Sequence, residues 1–518
     1  MYLERILPQW EQDEERDAII DGAVRFTRGQ SRRLLFQIGH ALREQGLGPG
    51  DGVGLFLTNR AESALVVLAV HLIGCRAVML PPEPGPGELA GLIDQSGART
   101  VVVDPAHGQQ ALRAAERCTS SPALLSLGAA TDSFTDADLL ALAAHQPEHR
   151  PEPAPEPGPD DAVTVFYTGG TLGKPKLAAH SRNPYDAIAA IAEMMRAERS
   201  TGADRVLAIT LLTHTSGHLT MLHAFMTGSP LLVLPEWDAD AAFTTLRDEK
   251  ITATMLVPPM LYQLLDHPDC TPGALPSLRQ ITLGAAPVAP ERLRQAVEMF
   301  GPIIAQGYGQ TECAGIVTMP PQELPDPADH DSPLWRSCGR PFPGTQVQIR
   351  GEDGEVLPQG EAGEVCSLNP MRMLGYWNDP ERTAVAVDAD GWLRTGDIGY
   401  LDADGYLYLV DRAKDIIVTG EAGGNVYSRL LEDFLHTLPG VRHAAAVGIP
   451  DEAVGERVRL FLVGEDIDLD AVPAAVTAEL GTTYTPHDVV LVPELPTTPI
   501  GKVDKKALRA LPEPALAR

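Results

Sequence analysis

The chain has 518 residues, 44% of them apolar and 21% charged, and a formal net charge of −29. That length exceeds one ordinary core, so two to four structural units are expected. The acidic excess argues against a partner such as nucleic acid or an anionic membrane; a few local lysines and helix N-termini still suffice for small anions.

The N-terminal MYLERILPQWEQDEERD is acidic and lacks the basic-then-apolar plan of a secretory signal. LLFQIGHALREQGL (34–47) repeats apolar residues at helical spacing, GPGD turns the chain, and VGLFL (53–57) reads as a short buried strand. AESALVVLAVHLIG (61–74) reads as a second helix, with an apolar run too short and too interrupted to span a bilayer. CRAVML (75–80) follows as a strand, and PPEPGPGE stops it. This alternation predicts a mainly parallel sheet covered by helices on both faces. The six cysteines are scattered without a CxxC pair, which suits reduced thiols in the cytoplasm and supports neither a metal nor a disulfide framework.

PEHRPEPAPEPGPD (147–160) is proline-rich and reads as a stiff connector. YTGGTLGKPK (167–176) comes next, glycine-rich and lysine-ended after the apolar-leaning DAVTVF. It is not a Walker loop: Pro175 follows Lys174, and Thr168 stands where the first glycine belongs. A glycine-rich turn between a strand and a helix is its plain structural reading, and phosphate binding its functional one. Further βα units are expected over 204–318. From about 336, short strands with Gly/Asp turns predict a small β-rich subdomain, and a compact α/β tail begins after DRAKD (411–415).

Four segments follow the loop in order: YGQTE (308–312), RTGD (394–397), DRAKD (411–415) and TPIGKVDKKAL (498–508). HTSGH (214–218), LGAAP (283–287), GRPFPGTQVQI (339–349), GEVCSLNPMRMLGYWNDPERT (363–383) and GIPDEAVGE (448–456) agree with them. In this order and spacing the chain resembles the adenylate-forming superfamily of acyl-CoA synthetases, peptide-synthetase adenylation domains and luciferases. The resemblance runs from FTRGQSRRLLF (26–36) onward and is nearest to acyl- and aryl-CoA ligases. It implies an α/β fold: a large N-terminal domain (1–411) of helix-covered, mainly parallel sheets with a β-rich subdomain, and a small mobile α+β C-terminal domain (412–518). It also implies that a carboxylate attacks ATP to give acyl-AMP and pyrophosphate. The small domain then rotates, and a thiol, usually of coenzyme A, displaces AMP.

The resemblance gives each motif a role. Lys502 matches the catalytic lysine, whose ammonium neutralises charge growing at the α-phosphate. Glu312 matches the Mg²⁺ ligand, a hard oxygen donor for a hard cation. Thr168, Gly170, Thr171, Gly173 and Lys176 belong to the phosphate loop; Gly284, Ala285, Ala286 and Gly307 to the pocket wall and nucleotide platform. Thr311 and the backbone of Tyr308 and Gly309 would contact AMP, with the tyrosine ring available to adenine. Asp397 matches the acid that binds both ribose hydroxyls, although an aspartate in a turn after glycine is its plain reading. Arg412 would contact ribose or phosphate, and Lys414 matches the hinge. His214 stands where amino-acid-adenylating domains place an aspartate, and so points to an acyl or aryl acid. Zinc at His214 and His218 lacks an intervening glutamate and a third ligand.

Two segments depart from the family. The usual loop reads Thr-Ser-Gly-Thr-Thr-Gly-x-Pro-Lys-Gly; here Gly169 replaces the serine, Leu172 the second threonine and Leu177 the last glycine. Two hydroxyls able to reach the β- and γ-phosphates are lost, each worth roughly 1.5–3 kcal/mol, together about 10²–10⁴ in rate. In VTGEAGGNVYS (418–428) two residues are inserted, and the usual Gly-Glu pair reads Gly423-Gly424, which still lets backbone approach a pantetheine. The expectation is therefore a carboxylic acid–CoA ligase with weakened adenylation, acting on a small-molecule carboxylic acid that is aryl, fatty or otherwise bulky, with a specialised pathway such as secondary metabolism as its setting. The alternatives are an enzyme using acyl-AMP supplied by a partner enzyme, a ligase loading a carrier-protein thiol, and a degenerate nucleotide- or acyl-binding regulator.

Overall fold

Two seven-stranded sheets account for most of the molecule. The computed structural model describes residues 2–82, 84–129, 134–135, 137–168, 176–198, 204–315, 317–319, 324–412, 415–419, 424–451, 455–498 and 501–511. In the first sheet the strands lie in the order Ile304–Gln306, Gln280–Leu283, Ala253–Leu256, Val206–Ala208, Leu231–Val233, Asp17–Asp21 and Val24–Thr27. All pair in parallel except the last, which closes an antiparallel hairpin. The second runs Gly375–Tyr376, Lys176–His180, Thr164–Thr168, Arg76–Met79, Gly52–Phe56, Ala98–Val103 and Ala123–Ser126. Its pairs are parallel from Thr164–Thr168 onward.

The largest core cluster joins these sheets through the helices Arg28–Glu44, Ala61–Leu72 and Thr215–Thr227, since it holds Ile19, Ala208 and Val233 of one sheet with Leu55, Ala77 and Phe166 of the other. That placement explains the run at 64–74, apolar but for His71, whose ring nitrogens bond Tyr2 and Thr164: a helix buried on every side needs no polar face. Among the described residues, no helix is long and apolar enough to cross a membrane. The proline-rich segment is strapped to the outside of this layer. Its carbonyls at Gln146, His149 and Glu152 accept from Gln37, His40 and Arg43, successive outward positions of the helix Arg28–Glu44.

A four-stranded antiparallel sheet, Gln346–Arg350, Gly363–Leu368, Leu393–Leu401 and Leu407–Arg412, forms the expected β-rich unit. The C-terminal unit is a five-stranded sheet with the helices Ser428–Leu435, Val472–Leu480 and Lys505–Ala510. Arg412, which the sequence reading assigned to the smaller domain, ends the last strand of the four-stranded sheet. Lys414 lies outside the described residues.

Candidate active site

The carboxyl ends of the parallel strands in both large sheets open onto one cleft of about 1170 Å³. Met79, Thr168, His214, Pro258, Ala285 and Gly307 all line it from strand ends or the residues just beyond. Open α/β sheets bind ligands at this edge because the loops there are free to vary. Asp397 and Arg412 come in from the four-stranded sheet, and Lys502 from the C-terminal unit. Ala286, Tyr308, Gly309, Thr311, Glu312 and Lys176 complete the set of sequence-derived residues on its walls. Gly284 stands just behind, where an added Cβ would press on Met255 Cε at 3.2 Å. Gly170, Thr171, Gly173 and Gly423 lie outside the described residues, and Gly424 begins the strand Gly424–Val426.

Asp397 is not in a turn. It lies within the strand Leu393–Leu401, is 4% exposed, and pairs in register with Arg412. Its Oδ2 accepts from Tyr308 Oη at 2.5 Å and Gln310 Nε2 at 2.6 Å, and its Oδ1 lies 3.1 Å from Arg412 Nε. Three donors thus hold one buried carboxylate at the cleft wall, as burial of a charge requires. Nearby, Gln306 Oε1 is buried and has no hydrogen-bond partner among the described residues, so a donor on a bound ligand would satisfy it.

The glycine-rich segment also departs from its expected setting. It joins two antiparallel strands, with Thr168 opposite Lys176, and does not lead into a helix. Lys176 begins a strand, so no helix N-terminus follows directly on this segment. At the base of the hairpin Thr168 Oγ1 donates to Glu312 Oε1 at 3.4 Å, and Tyr376 Oη donates to the same oxygen at 2.9 Å. Lys176 Nζ is 3.4 Å from Tyr376 Oη and 4.6 Å from its ring centroid. Tyr376 lies in the GYW segment, and nothing in the sequence pattern points to this contact. Burial and the neighbouring Glu312 push its hydroxyl well above the usual phenol range, so it stays a donor. One carboxylate beside a hydroxyl fits Mg²⁺, which binds through one or two carboxylates plus substrate phosphates. When bound, the ion would neutralise phosphate charge, with Glu312 as its protein ligand.

HTSGH begins a helix for local reasons. His214 is the N-cap of Thr215–Thr227, accepting on Nδ1 from Ser216 N at 3.4 Å and lying 2.9 Å from its hydroxyl. With Nδ1 an acceptor, the neutral ring carries its proton on Nε2. Burial, and then the Lys502 cation, push His214 down to about 3, so the imidazole is neutral near pH 7. Gly217 permits the close approach of this turn to the preceding chain: an added Cβ would fall 2.1 Å from the Leu211 carbonyl oxygen. His218 belongs to the core instead, with Nε2 at 3.1 Å from Tyr185 Oη. Beyond Gly284, Ala285 holds φ +69°, a left-handed conformation that costs a non-glycine residue and is found at ligand-binding turns.

Lys502 reaches the cleft on a tight turn, in which Thr498 N donates to the Lys502 carbonyl at 2.6 Å and Lys502 N to Thr498 Oγ1 at 3.2 Å. Gly501, at φ +74°, sits so close to the larger domain that a Cβ would meet Val257 Cγ2 at 2.6 Å. A polar chain fixes this docking. Lys505 Nζ contacts Ser428 Oγ at 2.6 Å and Glu432 at 2.8 Å, while Ser428 N and Oγ donate to Asp411 Oδ2 at 2.6 and 2.9 Å. Asp411, Ser428 and Lys505 lie within DRAKD, VTGEAGGNVYS and TPIGKVDKKAL but have no role in the sequence reading, because only the fold brings 411, 428 and 505 together.

A profile of AMP-binding enzymes matches residues 7–377, and one of the AMP-binding enzyme C-terminal domain matches 430–502. The chain is 36% identical over 505 residues to the medium/long-chain-fatty-acid–CoA ligase FadD8 of Mycobacterium tuberculosis, covering 94% of this chain and 86% of that one. It is 30% identical over 500 residues to a feruloyl-CoA synthase of an Amycolatopsis species, covering 95% of each. Among solved structures, the amide bond synthetase McbA of Marinactinospora thermotolerans superposes with a TM-score of 0.83 at 34% identity, covering 98% of both chains.

Proposed function

The chain belongs to the AMP-binding enzyme family, and from that premise we propose that it joins a carboxylic acid to coenzyme A through acyl-AMP. The observation that carries this reading is the placement of Lys502, from the small domain, in one cleft with His214, Glu312, Lys176 and Asp397. The acid's carboxylate oxygen forms a bond to the α-phosphorus of ATP as the α–β bridging P–O bond breaks, and pyrophosphate leaves. Lys502 stabilises the negative charge that accumulates between carboxylate and phosphate. Asp397 takes the ribose, while Thr168 and Lys176 face the phosphates. In the second step the CoA sulfur attacks the acyl carbonyl and AMP leaves. Met79, Leu219, Met255 and Pro258 put apolar side chains on the cleft wall, which suits an acid with an apolar body; the fatty and aryl acids named for the relatives share that character.

Adenylation is the slower half. Gly169 and Leu172 lack the hydroxyls of the usual loop, which costs about 10²–10⁴ in rate if both act in the transition state. The second step touches neither the β- nor the γ-phosphate and is spared. The test incubates a panel of fatty and aryl acids with ATP, with and without CoA, and reads acyl-AMP and acyl-CoA by mass spectrometry. Slow acyl-AMP formation beside rapid acyl-CoA formation from supplied acyl-AMP supports the reading. Pyrophosphate release near 10 s⁻¹, an ordinary enzymatic rate, contradicts the slow first half. The likeness to an amide bond synthetase over 98% of both chains favours one further arm, in which an amine replaces CoA as the acceptor; amide without thioester would select it.

A further inference from the structure

Gln310 is the middle residue of YGQTE and one of the three donors to Asp397. Its Nε2 donates to Thr395 O at 2.8 Å and to Asp397 Oδ2 at 2.6 Å. Both partners are acceptors, so only the NH₂ end of the amide fits and the side-chain orientation is determined. Gln310 is also the N-cap of the short helix Thr311–Cys313, which carries Glu312. Its side chain therefore ties the element holding the metal-ligand candidate to the strand holding the ribose-acid candidate.

Asp397 Oδ2 receives both Tyr308 and Gln310, and these two bonds account for that oxygen's lone pairs. Oδ1 faces Arg412 Nε, whose side chain is 44% exposed and is the partner best able to move. We propose that Gln310 is a positioning residue for nucleotide binding: it saturates Oδ2 and so presents Oδ1 of Asp397 to the ribose hydroxyls. The inference rests on the nucleotide role given to this cleft under the proposed function. Without the Gln310 bond Tyr308 alone holds Oδ2, the carboxylate turns more readily about its last torsion, a broad and roughly two-fold one, and the acceptor is less sharply directed.

Calorimetric titration of the full-length protein with AMP and with 2′,3′-dideoxy-AMP separates this role from a merely structural one. The unmodified protein is expected to bind AMP about 10–100-fold more tightly than the dideoxy analogue, the scale of hydrogen bonds to a charged group. Gln310→Met keeps the length of the side chain but not its donors, and should shrink that ratio below about threefold. Gln310→Asn, too short to reach both acceptors, should fall between and carries the comparison if the methionine variant does not fold. An undiminished ratio in both variants overturns the proposal. If the unmodified protein binds AMP no more tightly than Asp397→Ala does, the nucleotide reading fails first and the proposal falls with it.

Discussion

Asp397 concentrates the residue-scale claims, because three donors converge on a carboxylate with almost no solvent exposure. Asp397→Ala should weaken an acyl-AMP analogue by about 1.5–3 kcal/mol, the worth of hydrogen bonds to a charged group; calorimetry showing unchanged affinity would remove it from the site. Glu312, Asp397, Arg412 and Lys502, proposed from short sequence segments, all line one cleft. Gln310 and Tyr376 stayed hidden because their bonds run to Asp397 and Glu312 across the fold, and no local pattern encodes such a contact. The plain reading of Asp397 as a turn residue gives way to a strand for a similar reason. RTGD has the composition of a turn, but pairing with Leu407–Arg412 draws it into a strand, and tertiary context overrides local propensity there.

At the scale of elements, the Thr498–Lys502 turn is decisive, since it must touch the larger domain to deliver its lysine. Gly501 combines φ +74° with a contact that no Cβ could make. Gly501→Ala should lower acyl-AMP formation at least tenfold, the change for about 1.4 kcal/mol of lost docking, while acyl-CoA formation from supplied acyl-AMP stays within about twofold. Stopped-flow assay of the two halves checks this, and equal losses in both would place Gly501 in folding alone. The glycine-rich hairpin makes the complementary case: Gly169→Ser with Leu172→Thr should raise pyrophosphate release by a factor within about 10²–10⁴. The strand before its turn was suggested by the apolar-leaning DAVTVF. The strand Lys176–His180 after it was not, because the plain reading placed a helix there; the short connection then forces the pair to run antiparallel. The helix Ala61–Leu72, by contrast, was clear from its pattern, and only its burial between two sheets needed the structure.

At the scale of the whole molecule, the docked position of the small domain should be sensitive to pH. Tyr262 of the larger domain, with Arg292 over its ring, meets His436 and His443 of the smaller one at centroid distances of 5.7 and 5.6 Å. Burial first, with the Arg292 cation contributing, pushes both histidines down to about 4. Asp266 opposes that shift at His443, while Arg442 adds to it. On undocking they would return toward 6.5. A group whose docked pKa is depressed favours docking above its undocked value and loses that contribution as pH falls toward the docked one. Between pH 7.5 and 5.5 each histidine should therefore cost the docked state about tenfold in population. Burial of Asp433 pushes it up to about 6 and works in the opposite sense, offsetting about fourfold. Acyl-AMP formation should consequently fall more steeply than thioester formation over that range, and His436→Gln with His443→Gln should flatten the difference. The measurement closest to the central claim compares the unmodified protein with Lys502→Ala in both half-reactions. The account predicts that the variant loses acyl-AMP formation from acid and ATP by at least about 10²-fold, the scale of one electrostatic contact in a transition state, yet converts supplied acyl-AMP and CoA to thioester at nearly the unmodified rate. Equal loss of both halves, or an unmodified protein that cannot pass the acyl group of acyl-AMP to CoA, would contradict it.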